Sequence, residues 1–211
     1  MAIAYGQHIE GTTAAGTPLR AAVFEERQVR AAAGLLLVLG AIAFFYALLD
    51  QDYVLLRIVS VFMLVEFAIR VTAGIHRSPA GLVARLLTRR YPPEWVSAKP
   101  KRFAWFIGVG IAGAMTVITN AGITGYLPRT LCIICLVFLW LESVLGFCVG
   151  CEIHAFLVRR GMATADPAYE VCAGGVCAVP GAPSVVADLP AIPAPALAEG
   201  AAAGTGPASS P

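Results

Sequence analysis

Charge is scarce in this chain of 211 residues: 13% are Asp, Glu, Lys or Arg, against 58% hydrophobic residues and a mean hydropathy of +0.77. A soluble domain carries about 25% charged residues, so this sequence has too little charge to cover a globular surface. A bilayer must solvate most of it. Also missing are the G-x-x-x-x-G-K-[ST] phosphate loop, the G-x-S-x-G nucleophile elbow and H-E-x-x-H. Their absence removes the sequence signatures of P-loop nucleotide hydrolysis, α/β-hydrolase chemistry and zincin proteolysis, and no cofactor motif takes their place. The net charge of +2 is small, and no nucleic-acid partner is expected.

What the sequence has instead is long apolar runs. Four of them, about Ala31–Leu49, Tyr53–Ala73, Phe103–Thr119 and Leu131–Leu157, are of the order of the roughly 20 helical residues that cross about 30 Å of hydrocarbon. The first begins late and is too long for the apolar core of a cleavable signal peptide, so it is expected to be retained. The basic residues are distributed unevenly. Arg20, Arg27 and Arg30 precede the first run; Arg77, Arg85, Arg89, Arg90, Lys99, Lys101 and Arg102 fill the loop between the second and third; Arg159 and Arg160 follow the fourth. The opposite loops hold Arg129 alone. The positive-inside rule then predicts an all-α, integral membrane four-helix bundle in the inner (cytoplasmic) membrane with both termini cytoplasmic, N-in and C-in.

The rest divides by composition. Residues 1–24 are small and polar and are expected to be weakly ordered, residues 25–162 form the four-span domain, and residues 163–211, rich in Ala, Pro and Gly, read as a disordered tail. In the central loop, Ser78 can cap a helix with Pro79 at its first position. That helix, PAGLVARLLTRR, gathers Leu82, Val83, Leu86 and Leu87 on one face with Arg85, Arg89 and Arg90 around it, the pattern of a helix lying in the cytoplasmic interface.

Six cysteines occur only in close pairs: Cys132/Cys135, Cys148/Cys151 and Cys172/Cys177. On one continuous helix, Cys132 and Cys151 are about 28 Å apart and Cys135 and Cys148 about 20 Å apart. Four thiols spread over that length cannot close on one tetrahedral zinc. Within a regular helix even a C-x-x-C is awkward for a disulfide, because β-carbons at i and i+3 stand about 5–6 Å apart where the bond wants roughly 3.5–4.5 Å. Each pair therefore needs a helix end or a distortion. Pro128 and Thr130 suggest a helix start just before Cys132, where the dipole would favour a thiolate. Gly146 and Gly150 flank Cys148 and permit an unwound turn. The same glycines form G-x-x-x-G, which lets two membrane helices approach closely. On a continuous fourth helix Cys148 and Cys151 would sit in the C-terminal half, where the dipole disfavours a thiolate.

Three stretches, PKRFAWFIG opening the third run, LCIIC opening the fourth and LESVLGFCVGCEIH closing it, resemble a bacterial four-helix membrane family catalogued as domain of unknown function 4395. The resemblance covers about residues 24–160. It implies four spans with paired cysteines and an association with thioredoxin-like or sulfurtransferase proteins, and so thiol or sulfur chemistry. Cys172 and Cys177 lie outside it.

Charges also fall inside the apolar runs: Arg57, Glu66 and Arg70 in the second and Glu142 in the fourth. Each costs several kcal/mol near the bilayer centre unless paired or hydrated, to order of magnitude. Glu66 and Arg70 can pair at i, i+4, and Glu142, at similar depth, is within reach of Arg70 or Arg57. Such a group either holds the second and fourth helices together or makes a polar path between the dithiols. His154, three residues after Cys151, could share a metal or a proton with it, and is otherwise a solvated interfacial histidine.

The leading expectation is a membrane thiol-active protein that exchanges disulfides or handles sulfane sulfur. Cys148 and Cys151 would be the cytoplasmic dithiol, Cys132 and Cys135 the pair near the outer face, and Cys172 and Cys177 a mobile tail dithiol. Two alternatives stand beside it: a soft-metal binder using thiolates and His154, also across a homo-oligomer interface, and a structural subunit whose cysteines, Gly108 and Ala112 only pack.

Overall fold

A computed structural model describes residues 6–12 and 18–163; Cys172, Cys177 and the tail lie outside the described residues. Among the described residues the chain is all-α apart from one small sheet. Helices α1 (Glu26–Leu49), α2 (Val54–Ala73), α3 (Pro79–Thr88), α4 (Ala98–Asn120), α5 (Tyr126–Trp140) and α6 (Val149–Arg159) follow in order. Three segments, Glu26–Leu49, Ala98–Asn120 and Tyr126–Leu145, are long and apolar enough to cross a membrane. Helix α2 matches them in length with 20 residues but carries Arg57, Glu66 and Arg70. Large aliphatic and aromatic side chains such as Val38, Ile58, Phe106 and Val117 point outward from α1, α2 and α4, each more than half exposed. Outward apolar side chains on helices of this length suit hydrocarbon rather than water.

The sheet was not foreseen. Where weak order was expected over residues 1–24, β1 (Gln7–Thr12) pairs antiparallel with β2 (Pro18–Glu25), and β2 pairs antiparallel with β3 (Trp95–Ser97). Strand β2 runs directly into α1 and β3 directly into α4. The register Glu25↔Trp95, with Glu26 N–H donating to the Glu94 carbonyl at 2.7 Å, clamps the first turns of those helices side by side. Strands β2 and β3 are far apart in sequence, so no local pattern could announce that pairing.

Ser78 caps α3 as expected, its hydroxyl accepting from the Gly81 N–H at 3.1 Å, with Pro79 in the first turn. Leu82, Val83, Leu86 and Leu87 are all exposed, while Ala80, Gly81 and Ala84 pack inward against α1. Gln28 of α1 donates to the Gly81 carbonyl at 2.9 Å. A Cβ at Gly81 would fall 1.9 Å from the Ile75 carbonyl oxygen and 2.6 Å from Ser78 Oγ. Helix propensity favours alanine over glycine by about 0.5–1 kcal/mol, but a collision with backbone outweighs it. Gly81→Ala is expected to destabilise the protein by about 1–3 kcal/mol, read as a lowered midpoint on thermal unfolding in detergent micelles; an unchanged or raised midpoint would show that propensity wins.

Two of the three charged residues within α2, Glu66 and Arg70, are paired as the i, i+4 spacing suggested, while the Nε of Arg57 is buried without a hydrogen-bond partner among the described residues. Arg70 donates to Glu66 Oε1 from Nε at 2.9 Å and from Nη2 at 2.8 Å, and both side chains are fully buried. Glu66 Oε2 accepts from the Ala80 N–H at 3.1 Å, satisfying a free amide in the first turn of α3. The pair therefore ties α2 to α3 rather than to the fourth run. Gly108 sits against the Phe67 ring and Ala112 is buried, so these small residues pack α4 within the chain rather than against a partner.

Candidate functional site

The fourth apolar run is not one helix. After Trp140 the helix widens into a π-helical segment, Leu141–Leu145, then stops at Gly146, whose φ of 67° lies in the left-handed region. That conformation suits glycine, which has no Cβ penalty there. The Gly146 and Phe147 N–H groups both donate to the Leu141 carbonyl, closing the end in the manner of a glycine-terminated helix. Arg30 of α1 supplies the rest of the cap. Its guanidinium donates to the Val144 carbonyl at 3.0 Å and to that of Ser143 at 3.4 Å, carbonyls that a continuing helix would have used. Arg30 was read from sequence only as part of the positive-inside bias.

The break changes the chemistry of the cysteines. Cys148 is the N-cap of α6, with φ −92° and ψ 98°, and its sulfur accepts from the Cys151 N–H at 3.3 Å. The pair therefore stands at a helix N-terminus, where the dipole and the free amides favour a thiolate. This reverses the expectation of a C-terminal, unfavourable position. The extended backbone at Cys148 also brings the residues to a Cα–Cα distance of 5.2 Å, and they form a disulfide. Cys132 and Cys135 are free thiols in the interior of α5, which begins at Tyr126, six residues before Cys132. The helix-end activation expected for Cys132 does not apply.

Gly146 and Gly150 do separate jobs rather than forming one seam between two helices. Gly146 turns the chain; Gly150 lets α6 rest on α4, since a Cβ there would meet the Ala104 Cα and Cβ at 2.5 Å. Folded back in this way, α6 encloses a cavity of about 90 Å³ with α1, α2, α4 and α5, lined by Arg70, Trp105, Cys135, Glu142 and Cys148 among others. Cys135 and Cys148, placed about 20 Å apart on a continuous helix, thus face one cavity. Cys132 and Cys135 also line a smaller, wholly apolar one of about 40 Å³. The disulfide is secluded: Cys148 is 1% and Cys151 6% exposed.

Glu142 is not held by Arg70 or Arg57, as its depth had suggested. Lys101 of α4 reaches it at 2.7 Å and Glu26 of α1 at 2.9 Å, and the ammonium is buried with both carboxylates around it. Glu26 and Lys101 were missed because each stands at the charged edge of an apolar run, where a sequence reading places it in water. The strand pairing that joins the starts of α1 and α4 carries them inward. The only sequence signal was Glu142 itself, a charge inside the fourth run. His154 packs its ring on Phe103, centroids 5.5 Å apart. Among the described residues no three His, Cys, Asp or Glu side chains gather as a metal site.

No curated protein and no solved structure matches this chain. The LCIIC and GFCVGCEIH stretches whose geometry has just been described both fall within residues 24–159, which match a family profile over well more than half of the chain, and the protein belongs to that family, Domain of unknown function (DUF4395).

Proposed function

We propose that this is a multi-pass protein of the inner membrane that exchanges disulfides through Cys148 and Cys151. The supporting observation is the position of the pair: a C-x-x-C closed at the N-terminus of α6, the placement that lowers a thiol pKa and makes a thiolate available. In the reduced state the Cys151 N–H that now donates to Cys148 Sγ would stabilise a Cys148 thiolate.

Exchange then runs in two balanced steps. A partner thiolate attacks Cys148 Sγ, the Cys148–Cys151 bond breaks, and Cys151 leaves as a thiolate. A second partner thiol, deprotonated, attacks the mixed disulfide, releasing Cys148 as a thiolate and leaving the partner oxidised. Two partner thiols lose two electrons and the cysteine pair gains them; the reverse order oxidises the pair. Glu142, a carboxylate on the wall of the same cavity as Cys148 and paired with Lys101, would take up or return the proton.

Because both sulfurs are buried, a folded thioredoxin-like or sulfurtransferase partner would need α6 to lift from α4, whereas a small thiol could enter the cavity. Sulfane-sulfur transfer would use the same thiolate. Cys132 and Cys135 would act as a second dithiol nearer the outer face, with Cys135 the member closer to Cys148. Helix α2 is proposed as the fourth span: its 20 residues reach about 30 Å, and Glu66 and Arg70 neutralise each other. The basic excess beside α1, α3, α4 and α6 supports both termini on the cytoplasmic side.

The test is differential alkylation with mass spectrometry in native membranes, before and after a reductant. Cys148 and Cys151 are expected to be protected until reduced, and a Cys151→Ser variant to accumulate mixed disulfides at Cys148 that Cys148→Ser abolishes. Free, unreactive thiols at both positions whatever the redox state would end the proposal.

A further inference from the structure

A second and larger cavity, about 590 Å³, lies at the end of the bundle where the sheet meets α3. Its volume is in the range of small-molecule sites. Arg85 of α3 and Arg89, its C-cap, four residues apart, line it with His76. Tyr91 and Trp95 line it as well. No carboxylate among the described residues forms an ion pair with Arg85 or Arg89. Glu25 also borders the cavity, but its two oxygens are occupied by the Arg27 and Gln28 amides, at 3.0 and 2.7 Å, at the start of α1. Burial, with the charges of Arg77 and Arg85, holds the His76 imidazole below its ordinary pKa. Two guanidiniums against the one carboxylate of Glu25 leave an excess of positive charge in the lining.

We propose that this cavity binds a phosphate ester, the group shared by anionic phospholipid headgroups and by soluble esters such as glycerol phosphate. Guanidinium groups recognise phosphate through paired, charge-assisted hydrogen bonds. Two of them four residues apart, beside an imidazole that an anion would help to protonate, can both donate to the non-bridging oxygens of one phosphate. The neighbouring surface favours the lipid source. Leu82, Val83, Leu86 and Leu87 extend from the same helix and are each about half exposed, so α3 can seat its aliphatic face at the acyl boundary while Arg85 and Arg89 hold the headgroup beside it. The cavity is independent of the cysteine chemistry, which lies in the other cavity.

The full chain in a neutral detergent is titrated by calorimetry with dihexanoyl phosphatidylglycerol, dihexanoyl phosphatidylcholine and glycerol 3-phosphate. Phosphatidylglycerol is expected to bind more tightly than phosphatidylcholine, and Arg85→Gln/Arg89→Gln to weaken it roughly 30-fold, at about tenfold per 1.4 kcal/mol. The control Arg90→Gln/Arg159→Gln removes the same charge from exposed positions that do not line the cavity, and is expected to weaken binding by less than about threefold. Binding of glycerol 3-phosphate as well supports the site with a soluble ligand; binding of the lipid alone supports it with a headgroup. No binding of either anion, or equal losses in the two double variants, would overturn it.

Discussion

Replacing Lys101 by methionine is expected to cost about 3–5 kcal/mol of stability, the cost of removing one partner from a buried ion pair. The Lys101 side chain is 2% exposed and its ammonium lies between Glu26 and Glu142, whose side chains are 4% and 16% exposed. Methionine fills most of the lysine volume but leaves two carboxylates facing each other with no cation between them. Arg30 and Arg70 are already committed, the first to the Ser143 and Val144 carbonyls, the second to Glu66. The effect should appear as a large leftward shift of the unfolding curve in mixed micelles titrated with sodium dodecyl sulfate. Glu26→Gln/Lys101→Met/Glu142→Gln removes every charge of the triad and should recover most of the loss, since a neutral buried cluster avoids the desolvation of ions. A single variant as stable as the wild type would mean that water reaches the two carboxylates and the triad is not buried in solution.

Gly150→Leu is expected to lift α6 from α4 and expose the disulfide. The added Cβ alone would stand 2.5 Å from the Ala104 Cα, and backbone cannot yield as a side-chain tip can. Overpacking of this kind costs about 1–3 kcal/mol or more. The cheapest relief is local: α6 has 11 residues at the end of the described chain, and Gly146 provides a turn on which it can swing. Alkylation of Cys148 by a bulky, membrane-impermeant maleimide after reduction should then rise by about tenfold or more relative to the wild type, as expected when a locally opened state becomes dominant, while Cys132 on α5, which does not line that cavity, stays as slow as before. Equal acceleration at all four cysteines would indicate global unfolding instead, and unchanged rates would show that reagents reach Cys148 through the cavity without any motion of α6.

The sequence by itself determined the elements that depend on composition and local spacing. Scarce charge and long apolar runs specify apolar helices, because only a helix satisfies its own backbone in hydrocarbon. Ser78-Pro79 specifies the start of α3 through its own hydroxyl and ring, and Glu66 and Arg70 find each other at i, i+4 without help from the rest of the fold. The glycines around Cys148 announced that an unwound turn was allowed. Whether the run would turn there was decided elsewhere: Arg30, more than a hundred residues earlier, takes the carbonyls that the break leaves free. That single tertiary contact accompanies the change of Cys148 from the far half of a long helix to the N-cap of a short one, and reverses the dipole acting on its sulfur. The pairing of β2 with β3 likewise draws Glu26 and Lys101 from the edges of their runs into a buried triad with Glu142. Charge placement along a chain sets which residues prefer water, but burial is a property of three dimensions, and only the packing of α1, α4 and the broken fourth run decided which of those charges would be held inside.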